Sequence, residues 1–169
     1  AASGDRPRSR IRPRALHVGL FLCFAKHLWT FSSEGTHAKS EGCFDQALKL
    51  DDQLAEAHSY LAHYKILYEW DFGGAEQEHR RAIDLNSNSA DVRHLYALYL
   101  RLMGRHEQAI AEIRRAEKLD PTDMFISRNV SQLHFYARRY DEAIEQARRV
   151  ADLIPIGGLV TTGWAELMK

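Results

Sequence analysis

This chain is poor in the residues that announce chemistry. Among its 169 residues are two cysteines, Cys23 and Cys43. That pair matches neither a disulfide framework nor the spacing of a zinc site, and it fits a reducing, cytoplasmic setting. No run of about 20 apolar residues occurs, so no ordinary membrane-spanning helix is expected. Net charge is also missing: 23 Lys and Arg balance 23 Asp and Glu. The balance hides an asymmetry, because Arg6, Arg8, Arg10, Arg12 and Arg14 crowd residues 1–14 beside the lone acid Asp5. The remaining body, with 18 basic and 22 acidic side chains, is mildly acidic. That balance argues against a broad nucleic-acid surface on the body.

Catalytic and metal-binding patterns are equally scarce. Nine histidines are present, but His58 and His63 are five apart, His27 and His37 ten apart, and no HExxH occurs. The i, i+4 pairing that sets two ligands on one helix face is therefore lacking. His94 and His134 read as polar or packed side chains. No glycine-rich loop joins a strand to a helix in the way that cradles phosphate; "FGG" (72–74) reads as a turn between helices. No serine carries the flanking glycines of a nucleophile elbow. Asp141, Glu142 and Glu145 precede Arg148 and Arg149 at distances that suit surface ion pairs. We expect no catalytic, cofactor-binding or metal-binding residues, and no enzymatic activity.

What is abundant is repetition. "GRHEQAIAEIRRAEKLDP" (104–121) reappears 34 residues later as "RRYDEAIEQARRVADLIP" (138–155) and 34 earlier as "AEQEHRRAIDL" (75–85). A weaker copy, "CFDQALKLDD", lies at 43–52. A repeated period of this length marks a solenoid. Each unit reads as two helices. In "ADVRHLYALYLRLMG" (90–104), Leu95, Leu98 and Leu102 recur at helical spacing, as do Tyr96, Tyr99 and Met103. Gly104 should end that helix in a left-handed turn. In "HEQAIAEIRRAEKL" (106–119), Ala109, Ile113 and Ala116 share one face. Small residues there let the partner helix come close. Pro121 stops the unit, and Asp120 or Asp123 should cap the next helix. Trp29, Trp70 and Trp164 read as packing residues between helices. Paired arginines recur at 80–81, 114–115 and 148–149, a solvated ladder that balances nearby acids.

These residues resemble the tetratricopeptide repeat (TPR) family, over about residues 21–169. Tyr96–Ala97, Leu100, Gly104, Ala109, Ile113, Ala116 and Pro121 fill its pattern without a gap. Val130–Ser131, His134, Ala143, Ala147, Val150 and Pro155 fill the next unit. The preceding one has Leu61–Ala62, Ala75 and Ala82, with an extra residue near "EWDFGG" (69–74) and Ser87 in place of the proline. In the first unit Ser40 and Asp52 replace the first alanine and the proline. Gly42 there interrupts the helix at a cost of roughly 1 kcal/mol relative to alanine, so that unit should fray. Phrases such as "YALYLRLMGRHEQAIAEIRRAEKLDP" are similar to repeat regions of bacterial regulators that also carry a winged-helix domain, a serine/threonine kinase or a cyclase.

The resemblance implies an all-α, right-handed superhelical solenoid of antiparallel helix pairs, with about three and a half to four units. The units span about 21–54, 55–89, 90–123 and 124–157, with a partial unit at 158–169. Together they form a repeat domain over 15–169 behind a disordered basic arm, 1–14. It also implies a non-catalytic scaffold for protein or peptide partners inside a larger bacterial regulator, cytoplasmic in location. In the family the first helices line a concave groove. The matching positions are Glu56, Ser59, His63 and Ile66; Asp91, His94, Leu98 and Arg101; and Phe125, Arg128, Gln132 and Phe135. His94 and Leu98 stand where members that clamp a terminal carboxylate use Lys and Asn, which argues against that form of recognition. The alternative role is a structural spacer or self-association module, or the sensor region of a transcriptional regulator or kinase.

The two ends carry further expectations. Val160, Trp164, Leu167 and Met168 form an apolar stripe in "GLVTTGWAELMK" (158–169), which should pack on the helix around 141–153. Only Glu166 and Lys169 are charged there, so we expect either more chain or a partner, including a second copy, to cover this end. At the start, the basic arm precedes the apolar "ALHVGLFLCFAKHLW" (15–29), the order of a secretory signal or anchor. His17 breaks the apolar region, however, and a first helix behind a basic tail is the preferred reading over an anchor or a misplaced start.

Overall fold

The computed structural model describes residues 44, 47–151 and 155–169. The expectations for the basic arm, the stretch 15–29, Trp29 and the glycine at 42 lie outside these residues. Every regular element within them is helical. Seven helices follow a short helical stretch at 47–50. They are α1 (Ala55–Tyr64), α2 (Phe72–Leu85), α3 (Ala90–Leu102), α4 (His106–Leu119), α5 (Met124–Tyr136), α6 (Tyr140–Ala151) and α7 (Pro155–Leu167), with a π-helical segment, Lys65–Glu69, extending α1. α1 packs on α2, α3 on α4, and α5 on α6, while α7 lies along α6. Backbones of successive first helices also approach one another, α1 to α3, α3 to α5 and α5 to α7. This is the solenoid of antiparallel helix pairs that the repeat predicts, with the first helices side by side.

Alanines make the close approach possible. Ala109, Ile113 and Ala116 are fully buried, as are Ala75, Ala82, Ala143 and Ala147. The central core joins Ala75, Ala109, Ile113 and Ala116 to Ala97, Tyr99, Leu100, Ile126, Val130 and Leu133. At the place of Ile113, the preceding hairpin has His79, buried against the rings of Tyr96 and Tyr99 at 5.5 and 5.4 Å. Neither of its ring nitrogens finds a hydrogen-bond partner, and burial pushes its pKa down to about 3.

The helix ends follow local chemistry. Ser89 accepts from the Val92 N–H, and Asp123 accepts from Phe125 and Ile126, as N-caps do. Of the two candidate acids before α5, Asp123 is the cap, and Asp120 instead holds the turn by accepting from the Thr122 N–H and hydroxyl. Asp71 caps α2 through Gly74 N–H at 2.8 Å. A Cβ at Gly74 would fall 2.0 Å from the Asp71 carboxylate, so the cap needs glycine there. Phe72 to Gly74 are therefore the first turn of α2, which corrects their reading as an interhelical turn. The reading of Trp70 as a packing residue between helices is likewise corrected, since it is 74% exposed.

Hairpin tips recur with a strict period. Left-handed residues stand at Trp70 (φ 56°), Gly104 (φ 71°) and Arg138 (φ 59°), each 34 from the next. The N–H after each closes the helix end: Arg105 to Leu100 O at 2.9 Å, Arg139 to His134 O at 2.9 Å, and Asp71 to Lys65 O at 3.2 Å. The first two reach back five residues, the pattern of a Schellman closure, and the third reaches back six. The extra residue expected near 69–74 is thus absorbed just before it, as the π-helical turn Lys65–Glu69. A π turn accommodates one added residue without ending the helix.

Candidate functional site

The row of first helices holds most of the groove positions. On α3, Asp91, His94, Leu98 and Arg101 are all half-buried. On α5, Arg128, Gln132 and Phe135 are half-buried and Phe125 is exposed. On α1 only His63 stays partly open, whereas Glu56, Ser59 and Ile66 are buried. The π turn explains Ile66. Counted back from the left-handed residues, Ile66 aligns with Leu100 and His134, and like them it is buried. Leu67 takes its place in the row, aligned with Arg101 and Phe135, and is exposed.

Side chains tie the helices of the row together. Asn129 on α5 lies with its amide nitrogen 2.6 Å from His94 Nε2 on α3; an amide donor on that nitrogen fixes the ring as acceptor there. Arg101 on α3 sits 4.8 Å over the Tyr136 ring of α5, and within α5 Arg128 sits 5.4 Å over Phe125. Such cation–π contacts hold a guanidinium in place while leaving its charge unneutralised. Loss of water pushes the His63 pKa down to about 4, and His94 and Arg101 beside it add to the effect. His94 falls to about 4 by burial, with Asp123 opposing and Arg128 reinforcing the shift. Both histidines are neutral at pH 7, so positive charge in the row comes from the two arginines.

Those arginines differ from most others. Arg80, Arg93, Arg105, Arg114, Arg115, Arg139, Arg148 and Arg149 each pair with a carboxylate. Among the described residues no carboxylate pairs with Arg101 or Arg128, and the Arg128 Nε is buried without a partner. The recurrent arginine pairs on the second helices behave as the solvated ladder predicts: Arg80 meets Glu76, Arg115 meets Glu112 and Arg149 meets Glu145.

Several groove neighbours escape a search by repeat position alone. Asn129 and Tyr136 contribute through contacts between units, which one sequence does not display. Leu67 had a signal, the extra residue before position 70, but only its placement in the π turn fixes the register. No three His, Cys, Asp or Glu side chains among the described residues are grouped to hold a metal ion. No helix among them is long and apolar enough to cross a membrane.

The terminal stripe lies elsewhere. Helix α7 does pack along α6, but through Thr161 and Ala165, which are buried. Val160, Trp164, Leu167 and Met168 are 53%, 58%, 75% and 53% exposed. The expectation that this stripe packs inward is corrected: small side chains make the contact and large ones face outward. Arg148 with Glu166, and Asp141 with Lys169, clamp the two helices at their edges.

Comparison with known proteins bears on the whole arrangement. The tetratricopeptide repeat family model matches residues 90–123. Small glutamine-rich tetratricopeptide repeat-containing protein 2 of Mycosarcoma maydis is 28% identical over 116 residues, which are 68% of this chain and 33% of that protein. The chain thus spans about a third of that curated relative. Pseudomonas aeruginosa pilF superposes with a TM-score of 0.66 at 21% identity, covering 83% of this chain and 62% of that one. YrrB, described as a TPR protein with an unusual peptide-binding site, gives 0.62 at 18% identity, covering 79% and 70%. At these identities the structures speak for the fold. Sequence match and fold agree: the tetratricopeptide repeat model matches residues 90–123, and the chain is built as a solenoid of helix pairs like those structures.

Proposed function

We propose that the row of first helices binds an extended peptide, and that the chain serves as the non-catalytic interaction module of a larger, cytoplasmic bacterial regulator. Proteins of this repeat family generally mediate protein–protein contacts, and the likeness of these repeats to those of bacterial regulators supports the wider setting. The observation that carries the binding reading is the pair Arg101 and Arg128. Both lie in the row, each is held over an aromatic ring, and neither meets a carboxylate among the described residues. Cations in the same row as Leu98, Leu67 and Phe125 suit a segment that supplies carboxylates and apolar side chains in alternation.

Selection from a display library of random twelve-residue peptides tests this. Selected peptides should be rich in Asp and Glu. A labelled representative should lose at least tenfold in affinity to Arg101→Glu with Arg128→Glu, while helicity by circular dichroism is unchanged. Unaltered affinity in that double variant would remove the groove from consideration.

A further inference from the structure

The row of first helices is apolar and cationic where those helices end. Three residues before each left-handed tip stand Leu67, Arg101 and Phe135, one each from the α1 hairpin, α3 and α5. One residue nearer the tip, Leu102 and Tyr136 are both 51% exposed. Arg101 lies 4.8 Å over the Tyr136 ring, and that ring is centred 5.6 Å from the Phe135 ring. Across three adjacent helices the band thus runs aliphatic, cationic, aromatic. No acid of the two central helices answers the cation: residues 92–106 and 124–140 contain neither Asp nor Glu. Glu69, on the π turn, is engaged by Lys65. The second helices α2, α4 and α6 differ, since among their described residues Leu119 alone is an exposed large apolar side chain.

We propose that this band recognises a short motif of a partner protein: a carboxylate with a bulky apolar residue three positions away on each side, held in the polyproline II conformation. The inference rests on the peptide-binding reading above and names what that peptide carries. Spacing selects the conformation. The backbones of α1, α3 and α5 approach one another in turn, and packed helices stand about 8–10 Å apart, so successive subsites of the band do too. A β-strand returns to the same face every second residue, about 6.6 Å, or every fourth, about 13 Å. Neither matches. A polyproline II helix returns every third residue, about 9.3 Å, and does. Aromatic-lined grooves are a recurrent seat for that conformation. Charge selects the central residue. A guanidinium stacked on a ring keeps its edge N–H groups for a carboxylate. The arm at residues 1–14 is not the occupant, because its five arginines repeat the sign of Arg101.

The probe is the labelled peptide Leu-Pro-Pro-Glu-Pro-Pro-Leu, whose prolines preset the conformation. It is titrated with the full chain by fluorescence anisotropy, and saturable binding is expected. Moving the glutamate one position toward either leucine should weaken binding at least tenfold, and so should its replacement by glutamine. Arg101→Glu in the chain should weaken it as much. On that variant the peptide with lysine in place of glutamate should regain affinity to within threefold of the original pair, an exchange that a merely structural arginine would not show. Leu67→Ser, at an exposed site, should cost at least fivefold. Helical circular dichroism should be unchanged in both variants. Equal affinity for the shifted peptides would overturn the motif, and it needs no altered protein to be seen. Absence of saturable binding by the probe would overturn it too. If acidic peptides selected from the library still bound through Arg101 and Arg128, the groove reading would stand without the motif; if those also failed, both would fall.

Discussion

The hairpins α1–α2 and α3–α4 reach the same kind of tip, a left-handed residue followed by a backbone closure, from different interiors. In α3–α4 the first helix runs unbroken to Gly104, and the second buries Ala109, Ile113 and Ala116. In α1–α2 a π turn takes up one extra residue before Trp70, and His79 fills the place of the isoleucine. The packing frame is therefore set by where the small residues and the tip fall, and the path between them is free to bulge. The difference also distributes titratable groups unevenly. Two of the three deeply perturbed histidines of the row and its core, His63 and His79, belong to α1–α2, and only His94 belongs to α3–α4.

Acid should expose that asymmetry most strongly. His79 is held near 3 and His63 and His94 near 4, below the ordinary 6.5. A depressed folded-state pKa means the unfolded chain binds the proton first. Stability from these groups is complete above about pH 6.5 and is lost as pH falls toward 4 and then 3. Each contributes a slope of about 1.4 kcal/mol per pH unit within its window. Three together are large against a total stability of about 5–15 kcal/mol. Urea unfolding followed from pH 7.5 to 4.5 should show steadily falling stability. His79→Ile should reduce the slope by about a third, and an unchanged slope would show that His79 is not buried neutral.

Exchanging the two central residues tests the interiors directly. Ile113→Ala should cost about 2–5 kcal/mol, because Ile113 is fully buried against neighbours that cannot close the gap. His79→Ile should stabilise the chain at pH 7 by about 1–3 kcal/mol, the penalty of an unpartnered buried polar group. The measurement is the midpoint of denaturant unfolding at constant slope. A destabilised His79→Ile would mean that the ring is matched to Tyr96 and Tyr99 in a way that an aliphatic side chain cannot reproduce.

Most of the fold was legible because the repeat is a packing device. Ala109, Ile113 and Ala116 name the buried face of α4 by spacing alone, and Gly104 names the tip. The outward turn of α7 was not legible. Its apolar stripe satisfies helical periodicity as well as an inward face would, and only its small residues, Thr161 and Ala165, reveal which side α6 accepts. Trp70 escaped for a related reason. A large aromatic side chain ordinarily signals burial, but at position 70 the 34-residue period requires left-handed backbone at an exposed tip. In the candidate groove, spacing located α3 and α5 positions, whereas the π turn altered the register of α1 from Ile66 onward. Contacts between units, such as Arg101 with Tyr136, require three dimensions.

The tips offer the smallest and sharpest comparison. A left-handed conformation costs a residue with a Cβ about 1 kcal/mol or more, and glycine far less. Gly104 therefore adopts its φ of 71° cheaply, while Trp70 and Arg138 hold similar angles against their intrinsic preference. Gly104→Ala should destabilise the chain by about 1 kcal/mol by backbone strain, since a Cβ there meets nothing within 4 Å. Arg138→Gly and Trp70→Gly should each stabilise it by up to about 1 kcal/mol, offset in part by the greater freedom of glycine in the unfolded chain. Thermal unfolding of the three single variants measures the series. Should Trp70→Gly prove destabilising while Arg138→Gly stabilises, the edge-to-face contact of Trp70 with Phe72, at 6.3 Å, would be what fastens the π-bulged tip to α2. The α1–α2 hairpin would then hold its extra residue by a side-chain contact that the α5–α6 hairpin does not need.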